Sequence, residues 1–150
     1  MNSQICVDAS IVIPLVVCED LSGPVRERWV DWRTRNLTIV APFLLSFELT
    51  AVLRKKVYRG LLTPHEGMLA FRAAHEQGIQ LLHPPDIHQR AWDLSIRFNR
   101  PTAYDSYYLA LAETLGCEFW TGDERLYHIV GDHLPWVRCA AAGCPPLFFS

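Results

Sequence analysis

Four carboxylates stand beside apolar segments, where an acidic side chain is out of place: Asp8, Glu48, Asp105 and Asp123. Asp8 directly follows the β-branched run at residues 5–7, and Asp123 follows a second apolar run, 117–120, by a step of three residues. An acid after a strand can cap the next helix, and this is the alternative role for both residues. Asp8 suits that role less well, because Ser10 lies nearer the predicted start of the helix.

Glu48 and Asp105 lie on predicted helices. Glu48 falls about 40° from Val52, at the edge of an apolar stripe, where an unpaired carboxylate is costly. It therefore needs a basic partner, a metal ion or cleft water, unless it reaches the surface as a salt-bridged glutamate. Asp105 ends the segment Thr102-Ala103-Tyr104-Asp105, which has the form of a helix capping box. The same first-turn position would also let Asp105 face a cleft at the strand ends.

Together the four acids predict a site for a hard divalent cation. Clustered carboxylate oxygens without a matching histidine or cysteine set suit Mg²⁺ or Mn²⁺ and not zinc. Several carboxylates around such ions are the arrangement that hydrolyses a phosphodiester bond. We expect the hydroxyls of Ser10 and Thr121, which flank two of the acids, to orient the carboxylates.

The elements that must position these acids alternate along the chain, with short β-branched runs between longer helix-period segments. This order, with strands apolar on both faces, is typical of a parallel sheet with right-handed crossovers. We predict an α/β fold, a three-layer α/β/α sandwich with a parallel four- or five-stranded sheet. In such a sheet the functional crevice lies beyond the carboxyl ends of the strands, where Asp8 and Asp123 are placed.

Helix signals and length complete the predicted organisation. Ser10 is a plausible N-cap of the first helix, and Thr63 begins a capping box that Glu66 completes. The 150 residues fit one domain, predicted to span 1–142, followed by an extended C-terminal tail at 143–150.

Composition narrows the class of protein. Half of the residues are hydrophobic, and the net charge of −2 excludes a histone-like polyanion binder and an acidic disordered chain. The five cysteines form no C-x-x-C pair, which argues against a disulfide scaffold or a zinc ribbon. The six histidines show no i,i+3 or i,i+4 pairing, and we expect surface or capping roles for them. No signal peptide or membrane-spanning run is visible, so we predict a cytoplasmic protein that does not contact a membrane.

Basic residues near the acids are candidates for contacts to an RNA backbone. Three of them follow Glu48 on the same predicted helix, one precedes the Asp105 helix and one follows Asp123. They are Arg54, Lys55, Arg59, Arg100 and Arg125. A solvated helix face is the alternative for each of them.

Four stretches of the sequence resemble the PIN-domain ribonucleases, and especially the VapC-type toxins of bacterial toxin–antitoxin pairs. They lie at residues 5–10, 42–54, 103–112 and 119–126, in the order and approximate spacing of that family, and the likeness spans about 3–139. The resemblance implies that Asp8, Glu48, Asp105 and Asp123 form the family's acidic quartet, with Ser10 and Thr121 at its accessory hydroxyl positions. It also implies Mg²⁺- or Mn²⁺-dependent endoribonuclease activity, a homodimer and inhibition by a cognate antitoxin.

Three other functions compete with a toxin nuclease. A PIN-like RNA-processing nuclease outside toxin–antitoxin pairs would carry the same residues. A non-catalytic PIN-fold interaction module would be expected to lack one of the four acids, and none is missing. An aspartate-nucleophile phosphatase built on Asp8 would need a second acid two residues later, where Ser10 stands.

Overall fold

Five parallel strands form one sheet in the computed structural model of the chain, which describes residues 2–141. The strands are β1 (Gln4–Val7), β2 (Thr38–Pro42), β3 (Gln80–Leu82), β4 (Glu118–Thr121) and β5 (Val137–Cys139). Their order is β3-β2-β1-β4-β5, so that β1 lies at the centre and pairs with β2 and β4. The predicted parallel α/β sheet is confirmed. The predicted tail at 143–150 lies outside the described residues.

Seven helices connect the strands within residues 2–141. They are α1 (Ala9–Val16), α2 (Ser22–Thr34), α3 (Leu44–Tyr58), α4 (Pro64–His75), α5 (Ile87–Arg97), α6 (Tyr104–Leu115) and α7 (Glu124–Val130). None of these helices combines the length and the apolar character that crossing a bilayer requires.

Helices cover both faces of the sheet. Phe119 and Trp120 are neighbours on β4, so their side chains point to opposite faces. The Phe119 ring stacks on Tyr108 of α6 with centroids 5.9 Å apart, whereas the Trp120 ring meets Trp32 of α2 edge-on at 5.5 Å. Helix α5 packs on α6, and α1 packs with α2, α3 and α4. The three-layer α/β/α sandwich is therefore confirmed.

Two of the predicted helix starts are wrong, and both errors involve candidate site residues. The N-cap of α1 is Asp8 and not Ser10, because the Asp8 carboxylate accepts a hydrogen bond from the Ser10 N–H at 3.0 Å. The capping box at 102–105 does not form either. Helix α6 begins at Tyr104 without a side-chain cap, and the Asp105 carboxylate pairs with Arg100 instead.

The capping box at Thr63 is confirmed. The Thr63 hydroxyl accepts from the Glu66 N–H at 3.1 Å, and the Glu66 carboxylate accepts from the Thr63 N–H at 2.8 Å. Pro64 occupies the first helical position, where its missing N–H costs nothing. The two capping-box patterns look alike in sequence, and only the one without a competing arginine forms.

Candidate active site

The ends of β1 and β4 bring Asp8 and Thr121 side by side. Val7 is in register with Trp120, so the next residue of each strand lies at the same carboxyl edge of the sheet. The Thr121 hydroxyl donates to Asp8 Oδ2 at 2.6 Å, and the Ser10 hydroxyl donates to Asp8 Oδ1. The two predicted hydroxyls therefore both bind the same buried carboxylate, which is 9% exposed.

The turn after β4 closes around this carboxylate. The Gly122 N–H donates to Ser10 Oγ at 2.6 Å, and the hydroxyls of Ser10 and Thr121 lie 3.2 Å apart. A Cβ at Gly122 would lie 2.8 Å from the Leu21 side chain and 3.1 Å from the Ser10 carbonyl oxygen. A larger residue at this position would have to displace the Leu21 side chain and the Ser10 backbone, so glycine lets the turn approach α1 closely without strain.

The charge on Asp8 is destabilised by its surroundings. Burial raises the pKa of Asp8 to about 7; the hydrogen bonds from Ser10 and Thr121 oppose the rise, and the charges of Glu48 and Asp105 add to it. Three of the four predicted acids therefore sense one another's charge. A cation placed among them would relieve both the repulsion and the cost of burying a charge.

Glu48 lies one turn into α3 and is partly buried. Burial is the main cause that raises the pKa of Glu48, and the Asp105 charge adds to it, while a hydrogen bond from Tyr108 opposes the rise. The Tyr108 hydroxyl donates to Glu48 Oε1 from α6, on the far side of the sheet edge. The protein partner of Glu48 is therefore a tyrosine hydroxyl, which was not among the partners expected from the sequence.

Tyr108 is a member of the candidate site that sequence reasoning did not single out. Its position on α6 indicates only an inward-packing side chain, and its ring is indeed buried, 2% exposed. The available signal was chemical, because a buried tyrosine hydroxyl needs a polar partner. The charge of Glu48 also contributes, after burial, to a raised pKa of Tyr108, which keeps the hydroxyl protonated as a donor.

Asp105 faces the cluster from the first turn of α6. Its Oδ2 lies 3.2 Å from Arg100 Nη2, and both side chains are partly buried. Five basic residues were predicted to contact RNA. Of these, Arg100 forms an ion pair with one of the four acids.

Asp123 differs from the other three acids. It is exposed, and its carboxylate accepts from the Leu126 N–H at 3.1 Å as the N-cap of α7. Its backbone N–H joins the network by donating to Thr121 Oγ1 at 3.0 Å. The structure therefore brings the Asp123 backbone to the Asp8 network while its carboxylate takes the capping role.

The donor chemistry fits a hard divalent ion, although the side chains do not yet converge on one. Among residues 2–141, no three His, Cys, Asp or Glu side chains surround a common point as metal ligands do. Each of the four carboxylates instead faces a protein donor. The set is nonetheless all-oxygen, and three of its charges repel one another, which are the properties that Mg²⁺ or Mn²⁺ selects.

The remaining basic candidates lie further from the acids. Arg54, Lys55 and Arg59 are exposed and follow Glu48 along α3 by about 9 to 17 Å of helix rise. The Arg54 guanidinium lies over the Tyr58 ring at 5.8 Å. Arg125 is exposed in the first turn of α7, two residues beyond Asp123. They form a surface around the site and not part of its inner network.

Comparison with known proteins gives a consistent result. The family model described as PIN domain matches residues 5–131. The chain is 30% identical over 123 residues to Ribonuclease VapC12 in two strains of Mycobacterium tuberculosis, which covers 82% of this chain and 89% of that protein. It also superposes on a crystal structure of PAE2754 from Pyrobaculum aerophilum with a TM-score of 0.67 at 17% identity, covering 91% of this chain and 83% of that one.

The structural likeness to PAE2754 supports the fold alone, at so low an identity. The family model, in contrast, covers most of the chain and includes all four acids and both network hydroxyls. The chain therefore belongs to the PIN-domain family, in agreement with the resemblance to VapC-type members that its motifs show.

Proposed function

We propose that this chain is a metal-dependent endoribonuclease and the toxin of a toxin–antitoxin pair. The observation that carries the proposal is the grouping of Asp8, Glu48 and Asp105 at the carboxyl edge of a PIN-type sheet, where the charges of Glu48 and Asp105 raise the pKa of Asp8 and the Asp105 charge raises that of Glu48. The similarity to proteins named ribonuclease supports RNA as the substrate.

In this proposal the four carboxylates hold Mg²⁺ or Mn²⁺, with Asp8, Glu48 and Asp105 as the inner ligands. Asp123 would join them by giving up its hydrogen bond to the Leu126 N–H. The ion, when bound, supplies Lewis acidity and an activated nucleophile for hydrolysis of a phosphodiester bond.

The other residues of the site orient these ligands. The hydroxyls of Ser10 and Thr121 fix both oxygens of Asp8, and Tyr108 fixes Glu48. Oriented ligands bind an ion more tightly, because less freedom is lost on binding. Arg100 compensates the charge of Asp105, and its guanidinium would be available to donate to a phosphate oxygen if a bound cation took over that compensation.

The partners follow from the same proposal. They are an RNA substrate, a cognate antitoxin and a second copy of the chain in a homodimer, all in the cytoplasm. Arg54, Lys55, Arg59 and Arg125 are the proposed outer contacts to the RNA backbone. A PIN-type RNA-processing nuclease is separated from a toxin by expression in cells, where a toxin arrests growth and co-expression of the neighbouring small gene restores it.

The direct test is cleavage of labelled RNA by the purified protein, with EDTA and after addition of Mg²⁺ or Mn²⁺. We expect EDTA to stop cleavage, either ion to restore it, and Asp8→Asn and Asp105→Asn to abolish it. Asp31→Asn is the matched control, since it makes the same change at an exposed ion pair with Arg35. Undiminished cleavage by both site variants, or no restoration by either ion, would overturn the proposal.

A further inference from the structure

An aromatic groove of about 350 Å³ lies among the residues that follow β2 and β3 and the first turns of α3, α5 and α6. We use this name for the space lined mainly by Phe43, Phe47, His83, His88, Tyr104 and Tyr107. Phe43 follows the carboxyl end of β2, and His83 follows that of β3, so the groove opens at the same edge of the sheet as Asp8. Phe47 and Tyr104 directly precede Glu48 and Asp105 in sequence.

Three of the aromatic side chains in this groove are unusually open to solvent. Phe43 is 50% exposed, Phe47 70% and Tyr104 59%. Large apolar rings gathered in one exposed patch mark a binding surface more often than chance packing. No Asp or Glu lines the aromatic groove, so it presents no negative charge of its own to a polyanion.

The rear wall of the groove is ordered by a chain of ring contacts. The Phe43 ring stacks on His83 at 5.2 Å, His83 meets His88 edge-on at 5.1 Å, and His88 Nδ1 lies 2.7 Å from the Tyr107 hydroxyl. The two histidines come from different elements, which is why local sequence spacing did not pair them. The wall therefore offers flat apolar faces together with polar ring edges.

We propose that the aromatic groove binds an unpaired nucleobase of the RNA, next to the phosphodiester bond that is cleaved. The inference rests on the proposed function and adds to it a base-recognition site. Proteins read single-stranded RNA by stacking splayed bases on Phe, Tyr and His rings and by hydrogen bonds to base edges. Phe47 and Tyr104 supply the stacking faces, and the imidazoles and the Tyr104 hydroxyl supply polar partners.

The size of the groove suits a single base. Its volume lies in the range of pockets for small ligands, about 300 to 1,000 Å³. Because the groove opens at the same edge of the sheet as Asp8, and Phe47 and Tyr104 directly precede two of the acids, a base seated there would hold the attached phosphate near them.

The test measures binding of a short single-stranded oligoribonucleotide in EDTA, so that no cleavage occurs. A series with one abasic nucleotide at successive positions is compared on wild-type protein, Phe47→Ala and Tyr104→Ala. We expect one abasic position to weaken binding to the wild type by about tenfold, in line with the loss of one stacked base. The same abasic position should cost little further affinity in either variant.

Phe71→Ala is the matched control, because it removes a partly exposed phenylalanine of α4 outside the groove, and it should keep the full abasic effect. An equal abasic effect in wild type and both variants would overturn the inference. So would dissociation of a dimer by Phe47→Ala, measured by light scattering, since the groove would then be a protein interface. Cleavage assays separate this inference from the proposed function: Phe47→Ala should raise KM with kcat nearly unchanged, whereas Asp8→Asn should abolish kcat.

Discussion

Two acids at the carboxyl edge of the sheet follow adjacent strands and have opposite surroundings. At the Asp8 corner, formed by Asp8, Ser10 and Thr121, the carboxylate is buried and both oxygens accept hydroxyl hydrogen bonds. At the Asp123 corner, formed by Asp123 and the start of α7, the carboxylate is exposed and accepts a hydrogen bond from the Leu126 backbone N–H. Both acids cap the helix that follows, so capping alone does not distinguish them.

The difference teaches that burial separates the two acids, although both of them cap a helix. A capping carboxylate in water stabilises its helix at little cost, whereas a buried one beside two like charges is expensive unless a cation binds. Asp8 follows the central strand and has neighbours on every side. Asp123 has solvent beside it, and the two corners are joined by the Thr121 hydroxyl, which donates to Asp8 and accepts from the Asp123 N–H.

The largest contrast between the corners should be in catalysis. We expect Asp8→Asn to reduce kcat for RNA cleavage by on the order of a hundredfold or more, because it removes a buried charge from the site of the ion. Asp123→Asn should reduce it by about tenfold or less, since asparagine still caps α7. Steady-state cleavage of one oligoribonucleotide by both variants measures the contrast, and equal losses would refute it.

The second contrast concerns stability without metal. The pKa of Asp8 is raised to about 7 in the folded protein, against 3.8 as its ordinary value. Its contribution to folding stability is therefore fully present below pH 3.8 and is lost as the pH rises through 7. The Asp8→Asn variant has no such loss, so its free energy of unfolding in EDTA should exceed that of wild type by a margin that grows toward pH 8.

The difference in the free energy of unfolding between Asp8→Asn and wild type should reach up to a few kcal/mol, since each pKa unit corresponds to about 1.36 kcal/mol. Urea unfolding at pH 5 and pH 8 provides the measurement. Asp31→Asn serves as the control for the amide substitution itself, because an exposed ion pair contributes only about 0 to 1 kcal/mol. If the difference between the two free energies of unfolding became smaller toward pH 8, the claim that Asp8 is a destabilising buried charge would be contradicted.

Thr121→Val tests the link between the two corners. The valine keeps the shape of threonine but removes the hydroxyl donor to Asp8 Oδ2 and the acceptor for the Asp123 N–H. We expect an affinity for Mn²⁺ about 10 to 100 times weaker, as is typical for loss of a ligand-orienting partner. Thr121→Ser, which retains the hydroxyl, should bind Mn²⁺ nearly as wild type does, and calorimetric titration compares them.

Tyr108→Phe tests the donor on the other side of the cluster. It removes a hydrogen bond to Glu48 and leaves the buried ring in place. We expect a drop in Mn²⁺ affinity of about tenfold, at the lower end of such effects, because Glu48 is less buried than Asp8. Tyr107→Phe is the matched control on the same helix, since its hydroxyl contacts His88 and not an acid. Equal affinities of the two variants would exclude the positioning role of Tyr108.

The smallest effect should come from the cap at the Asp123 corner. Asp123→Ala removes the acceptor for the Leu126 N–H and should lower the free energy of unfolding by about 1 kcal/mol, whereas Asp123→Asn should lower it by less. Thermal unfolding in EDTA separates the two variants. An alanine variant as stable as the asparagine variant would show that the cap contributes nothing.

Much of this fold could be predicted from sequence, because its signals are local. Short β-branched runs between helical segments predict the parallel sheet, and the position of Asp8 behind β1 predicts its place at the carboxyl edge. The N-cap of α1 was misassigned by two residues because Asp8 and Ser10 are both good caps, and burial of the strand end decides between them. The second capping box failed because Arg100 competes for Asp105.

The contacts of the site could not be predicted in the same way, because they join distant elements. Spacing on α6 shows that Tyr108 points inward, but not that its hydroxyl meets Glu48 on α3. His83 and His88 likewise come together only because the chain turns between β3 and α5. Such pairings depend on the packing angles between elements, which one sequence does not encode in any local pattern.

The bond between Thr121 and Asp8 also has a consequence for synthesis of the chain. It joins residues that are 113 positions apart, so the Asp8 corner cannot assemble on the ribosome until nearly the whole chain has emerged. Strand β1 and helices α1 to α5 are translated first, while the nascent chain still lacks β4 and the acid-binding hydroxyl that β4 carries. A partner that captures those earlier helices during translation would bind the chain before the Asp8 corner is complete.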